Sequence, residues 1–139
     1  MTMLNLDQEA ARAAQAMVAA ALTTAKKDAK AIENLINKAL GVLQEQGVYA
    51  CMLLLFSRTG DEKAYAEKIR PELYRLLGKL PALTGHAELP SDRDDARKVL
   101  AFYADQVCEK LDTLLLVRDL YEQALVYARF TAKAERKGG

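Results

Sequence analysis

The chain has no tryptophan, a single histidine and two cysteines in 139 residues. One His and two distant Cys cannot furnish the three or four ligands of a zinc centre. The di-metal sites of four-helix proteins need Glu together with Glu-x-x-His pairs, and the only His, His86, stands in a loop. No metal and no cofactor is therefore expected. Neither GxxxxGK[ST] nor GxGxxG is present, which leaves no phosphate-cradling loop. Ser57, Ser91 and His86 have no spacing that assembles a triad. No catalytic residue is assigned, and the chain is read as a non-enzyme. Charge of one sign is not in excess either: 20 basic residues face 19 acidic ones, a formal net charge of +1. Overall charge thus neither announces nor excludes a polyanion partner, and only local clustering can speak to one. No apolar run, Ala50 to Phe56 included, approaches the ~18 residues of a membrane span. The N-terminus has no basic region followed by an apolar stretch, so no signal peptide is expected. Cys51 and Cys108 lie on apolar segments and read as buried free thiols, which suits a cytoplasmic protein.

Glycine and proline are absent from Met1 to Leu40 and again from Ser91 to Lys137. These two segments, rich in Ala, Leu, Glu, Lys, Arg and Gln, predict two long helices, over about 7–40 and 92–135. Asp7 and Glu9 suit the first turn of the first helix. Its small-residue stripe runs through Ala14, Met17, Ala21, Ala25, Ala29, Ile32 and Ala39, and Gly41 is a candidate kink. Val48–Phe56 has little β-branching and reads as a helix buried on most sides. Asp61 looks like a cap for the next helix, in which Pro71 marks a kink or a new start. Residues 81–91 form the main loop, Ser91 or Asp92 caps the last stretch, and a break falls near Asp112-Thr113. Residues 137–139 are expected to be disordered. The expected architecture is all-α: one domain over 1–139, a compact bundle of five or six helices dominated by two long ones. The expected core contains Met17, Ile32, Leu53, Leu54, Phe56, Leu73, Leu77, Val107, Leu111, Leu115 and Leu125.

The chemistry that remains is charge placement. Lys26, Lys27 and Lys30 cluster on one side of the first helix, with Arg12 further up. Arg129, Lys133 and Arg136 are four and three apart on the last helix and share one face. The plain reading of such rows is a solvated helix face. The functional reading is a stripe that contacts phosphates, because a row of long cations can follow a nucleic-acid backbone. Tyr121, Tyr127 and Phe130 stand nearby and could stack on bases, with core packing the expectation for at least two of them.

Three segments resemble a known family. They are Asp7 to Ala16, with its Arg12 among alanines; Leu43-Gln-Glu-Gln-Gly-Val48 leading into Ala50–Phe56; and Val117-Arg118-x-x-Tyr121-Glu-Gln-Ala-Leu125 followed by Tyr127 to Ala134. Together they cover about half the chain, and they resemble the small all-helical subunit of the type III-B (Cmr-type) CRISPR effector complex. Gln46-Gly47-Val48 stands where that family has Asn-Gly-Leu, Val117 where it has an aromatic residue, and Phe130 where a Trp is common. A neighbouring type III small-subunit family fits the same segments. The resemblance implies a non-catalytic, cytoplasmic subunit of an antiviral-defence ribonucleoprotein. Its copies would stack on one another, contact the backbone and large subunits, and line the groove that holds guide RNA and target RNA. Two other classes stay open: a helical adaptor or scaffold with no nucleic-acid role, and a stand-alone nucleic-acid-binding module.

Overall fold

A computed structural model describes residues 5–83 and 88–138. The tip of the main loop, with Gly85 and His86, lies outside the described residues, as does Gly139. Six α-helices follow in order: α1 (Leu6–Ala21), α2 (Ala29–Gln46), α3 (Val48–Phe56), α4 (Gly60–Leu77), α5 (Ala96–Phe102) and α6 (Leu111–Gly138), with a π-helical segment, Tyr103–Val107, continuing α5. There is no strand among the described residues. The all-α bundle is as the sequence predicts.

The first long helix is in fact two. The backbone leaves α1 after Ala21 because Thr23 and Thr24 turn their hydroxyls back onto the carbonyls of Ala20 and Ala21, at 2.6 and 2.8 Å. Local bonds of this kind satisfy the open C-terminal carbonyls and compete with helix continuation. Asp28 then caps α2 by accepting from the Ala31 N–H at 3.1 Å. Ala25 is consequently exposed in the connection, not buried in a stripe. Gly41 lies inside α2 and does not end it. The turn falls at Gly47, whose φ of 99° is open to glycine at little cost. Pro71 sits within one continuous α4. At the far end, Asp95 caps α5 and the chain breaks at 108–110, a few residues before the expected Asp112-Thr113. Thr113 is buried instead of capping. Helix α6 continues through the first residues for which a disordered tail is expected, as far as Gly138.

Directions follow from a handful of contacts. Arg118 donates to the Gln44 carbonyl at 2.9 Å and Arg136 pairs with Glu33 at 3.5 Å, so α2 runs antiparallel to α6. Asp7 accepts from Gln123 and Tyr127, and Leu22 lies beside Glu135 and Arg136, so α1 runs parallel to α6. Lys79 reaches Glu9 at 3.7 Å while Asp61 reaches Lys26 at 3.4 Å, which sets α4 antiparallel to α1. Helix α3 bridges α2 to α4. Arg70 of α4 holds its end, donating to the Leu55 carbonyl at 3.2 Å and lying 4.1 Å over the Phe56 ring.

The core is mostly where periodicity puts it. Met17, Ile32, Leu73, Leu77, Val107 and Leu125 are fully buried, and Leu54 and Phe56 are half-buried. Leu53, Leu111 and Leu115 are exposed instead, at 48%, 66% and 45%. Helix α3 turns Val48, Cys51, Met52 and Leu55 inward, which leaves Tyr49 and Leu53 on its outer side. Likewise α6 buries Thr113, Val117, Leu120, Tyr121 and Ala124, a row that points Leu111 and Leu115 away from the bundle. Burial pushes the Cys51 thiol up to about 12, an inert structural thiol.

One polar chain crosses this core. Tyr103 and Tyr121 are fully buried, their hydroxyls 2.5 Å apart, and Tyr121 donates onward to the Leu73 carbonyl at 2.9 Å. Tyr103 therefore donates to Tyr121. Burial raises both phenols well above the ordinary tyrosine range.

Three outcomes follow for stability. Leu73→Ala should lower it by about 2–5 kcal/mol, and Leu111→Ala should change it by less than about 0.5 kcal/mol, both read by urea unfolding. Tyr121→Phe strands the Tyr103 hydroxyl in the core and should cost about 1–3 kcal/mol in the same assay. The two phenols stay protonated in the native state while unfolded tyrosines ionise. Stability is thus intact below the ordinary tyrosine pKa of about 10 and should fall as pH rises beyond it, a loss that the double Phe variant reduces.

Candidate nucleic-acid interface

Because α1 runs parallel to α6 and α2 returns antiparallel, the α1–α2 connection must lie beside the C-terminal turns of α6. Lys26 and Lys27 ride on that connection and Lys30 on the first turn of α2. The sequence reading puts all three on one side of a continuous helix. The break moves two of them onto a turn and leaves all three exposed. The turn is anchored from below by the buried Tyr65, whose hydroxyl donates to the Lys26 carbonyl at 2.7 Å.

Lys26, Lys27, Lys30 and Arg136 line one open cleft of about 430 Å³, together with the carboxylates of Asp28 and Glu135. The three lysines are thereby brought beside Arg136, about a hundred residues on in the sequence, at one end of the bundle. Arg129 and Lys133 continue from Arg136 along the same face of α6, a row about 10 Å long at 1.5 Å per residue. Lys133 is exposed and Arg129 half-buried, its guanidinium 5.0 Å from the centre of the Phe130 ring.

Of the three aromatic residues, Tyr121 belongs to the core and Tyr127 is half-buried with its hydroxyl tied to Asp7. Phe130 is 57% exposed beside Arg129, the one of the three rings that is open to solvent. Arg12 is not brought to this end. It lies on α1 about ten residues, roughly 15 Å, before the connection. There it pairs with Glu9 at 3.9 Å and lines a separate cleft with Arg75 and Lys79.

Sequence reasoning misses the acidic partners. Lys26 pairs with Asp61 at 3.4 Å, both well exposed, and Arg136 with the buried Glu33. A long-range pair between α2 and α6 has no local spacing to reveal it. The Thr23-Thr24 pair followed by Asp28 is the one signal that could have placed the turn. Elsewhere, the Asp94 carboxylate is held below its ordinary range by Lys98 and by the Ser91 N–H, and it shapes the turn into α5. Among the described residues, no group of three or more His, Cys, Asp or Glu could hold a metal ion, and no helix is long and apolar enough to cross a membrane. No protein family, curated protein or solved structure matches the chain.

Phe130 gives this site its own test. Phe130→Ala, an exposed change with little effect on stability, should weaken binding of single-stranded RNA by about 1–3 kcal/mol if the ring stacks on a base, as read by fluorescence anisotropy.

Proposed function

We propose that this chain is a non-catalytic structural subunit of an RNA-guided, RNA-targeting effector complex of the type III CRISPR class. In this reading it contacts the backbone of guide and target RNA through Lys26, Lys27, Lys30, Arg129, Lys133 and Arg136. Its other partners are the backbone and large subunits and further copies of itself. The observation that carries the proposal is the cleft at one end of the bundle where Lys26, Lys27 and Lys30 meet Arg136, the end of the α6 row. Cations on a turn and on an adjoining helix face can reach successive phosphates. Such contacts position without reading sequence, which a subunit serving many guides requires. The three segments that resemble the type III-B small subunit supply the particular complex. Arg12 is left out of the site because it faces another cleft.

A second reading, a helical adaptor without nucleic acid, draws on Tyr49, Leu53, Leu111, Leu115 and Leu116. These apolar side chains are exposed where a protein partner could cover them.

One titration separates the two. The isolated protein should bind a mixed-sequence RNA duplex weakly and without sequence preference. Its log–log salt slope should shrink by about 0.7–0.9 for each phosphate contact removed. Replacing Lys26, Lys27 and Lys30 together by Gln should keep helicity and reduce both affinity and slope. The same holds for the Arg129, Lys133 and Arg136 triple. If both triple variants engage RNA like the parent near ~0.15 M salt, the rows are solvated faces and the RNA path lies on another surface; if the parent itself shows no salt-dependent RNA binding, the adaptor reading stands.

A further inference from the structure

Arg136 lines the cleft, yet its charge is already answered from inside the protein. Its Nη2 lies 3.5 Å from Oε1 of Glu33. Glu33 is only 7% exposed, and its neighbours Ile32, Leu35 and Ile36 are fully buried. Oε1 is buried and accepts no hydrogen bond among the described residues. A carboxylate oxygen withdrawn from water without a hydrogen bond is costly, and a single guanidinium at this distance offsets that cost only in part. Fold stability gives no reason for an acid here, since an apolar residue would pack beside Ile32 without the desolvation penalty. The Lys26–Asp61 pair differs: both partners are well exposed, and in high dielectric such a pair exchanges readily for a phosphate.

We infer that Glu33 is a positioning residue for the basic cleft, holding Arg136 against α2 and cancelling its charge, so that Glu33 limits how tightly this end of the bundle grips a phosphate backbone. The inference rests on the nucleic-acid reading of the cleft. It divides the cations into two kinds. Lys26, Lys27, Lys30, Arg129 and Lys133 have no buried carboxylate paired with them among the described residues and supply the binding charge. Arg136 remains a contact, but paired with Glu33 it adds no net charge until Glu33 is neutralised.

The test uses the full chain and a mixed-sequence RNA duplex, titrated between about 50 and 200 mM salt. Glu33→Gln should bind about ten-fold tighter, the equivalent of one charge-assisted hydrogen bond, with a slope steeper by about 0.7–0.9. Glu33→Met, of similar length and uncharged, should give the same gain, which assigns the effect to charge and not to an amide hydrogen bond. Arg136→Gln in the parent leaves the Glu33 charge uncancelled beside the cleft and should weaken binding about ten-fold, the mirror of the Glu33→Gln gain. Added to Glu33→Gln, it should abolish the gain. Helicity and thermal midpoint, followed in parallel, keep a folding defect from passing as a binding effect. If the parent binds and neither Glu33 variant binds tighter, the inference is overturned while the nucleic-acid reading survives. If the parent shows no salt-dependent binding at all, the reading falls and the inference falls with it.

Discussion

Helix α6 decides where everything else goes. Its buried row, Val117, Leu120, Tyr121, Ala124, Leu125, Ala128 and Ala132, faces α1 and α2 along most of its length. The buried face of α1 is smaller in its side chains, with Ala10, Ala13, Ala14 and Ala21 around Met17 and Val18. Small side chains let helix axes approach closely, so contact is continuous and not confined to one crossing point. A continuous contact fixes direction as well as distance. Helix α1 lies parallel to α6, and the chain has only 22–28 in which to reverse before α2 begins. The reversal therefore has one place to be, next to the last turns of α6. The cleft at that end is a consequence of topology, and its lysines are there because they occupy the reversal.

The buried tyrosine chain pins the other half of the fold. Tyr103 stands at the start of the π segment, Tyr121 in the middle of α6, and Leu73 near the end of α4. Three elements thus share two hydrogen bonds within the fully buried core. The widened turn is closed by the Cys108 N–H donating to the Tyr103 carbonyl at 2.9 Å. Insertions of this type are local distortions of an α-helix. Here the distortion lets α5 stop and α6 start without glycine or proline, using 108–110 as the hinge. A buried polar network narrows the arrangements a core can adopt, because any other packing leaves a hydroxyl unsatisfied.

The fold was legible in the sequence where the signal is periodic and fails where it is local and polar. The absence of breakers and the three-four spacing reveal an all-helical chain, and Asp7 and Glu9 stand in the first turn of α1 as expected. What composition hides is a helix ended by side chains. Thr23, Thr24 and Asp28 stop and restart the helix through their own oxygens, and none is a breaker by propensity. Leu53, Leu111 and Leu115 mislead for a different reason. An apolar residue is inward only if its helix has neighbours on that side, and α3 and the first turns of α6 have neighbours on one side alone. The site was legible in part. The shared face of Arg129, Lys133 and Arg136 needs only the helical period, whereas the meeting with the lysines and the partnership of Arg136 with Glu33 require the direction of α2.

A net charge of +1 says little about a molecule of this shape. Helix α6 is 28 residues long, about 42 Å at 1.5 Å per residue. The Debye length at physiological salt is about 8 Å. Asp112 and Asp119, in the first turns of α6, therefore exert almost no field at its last turns, where Lys133 and Arg136 stand. Arg12, roughly 15 Å of helix away from the α1–α2 connection, is screened from the cleft by the same arithmetic. The potential an incoming polyanion meets is set by charges within one or two turns of the cleft: Lys26, Lys27, Lys30, Lys133 and Arg136 against Asp28, Asp61, Glu135 and Glu33. Three of these acids are exposed and share their field with water. Glu33 is not, and a carboxylate in low dielectric acts on its neighbour far more strongly than the same charge in solvent. Among the acids at this end, burial makes Glu33 the one whose charge weighs most on the cleft.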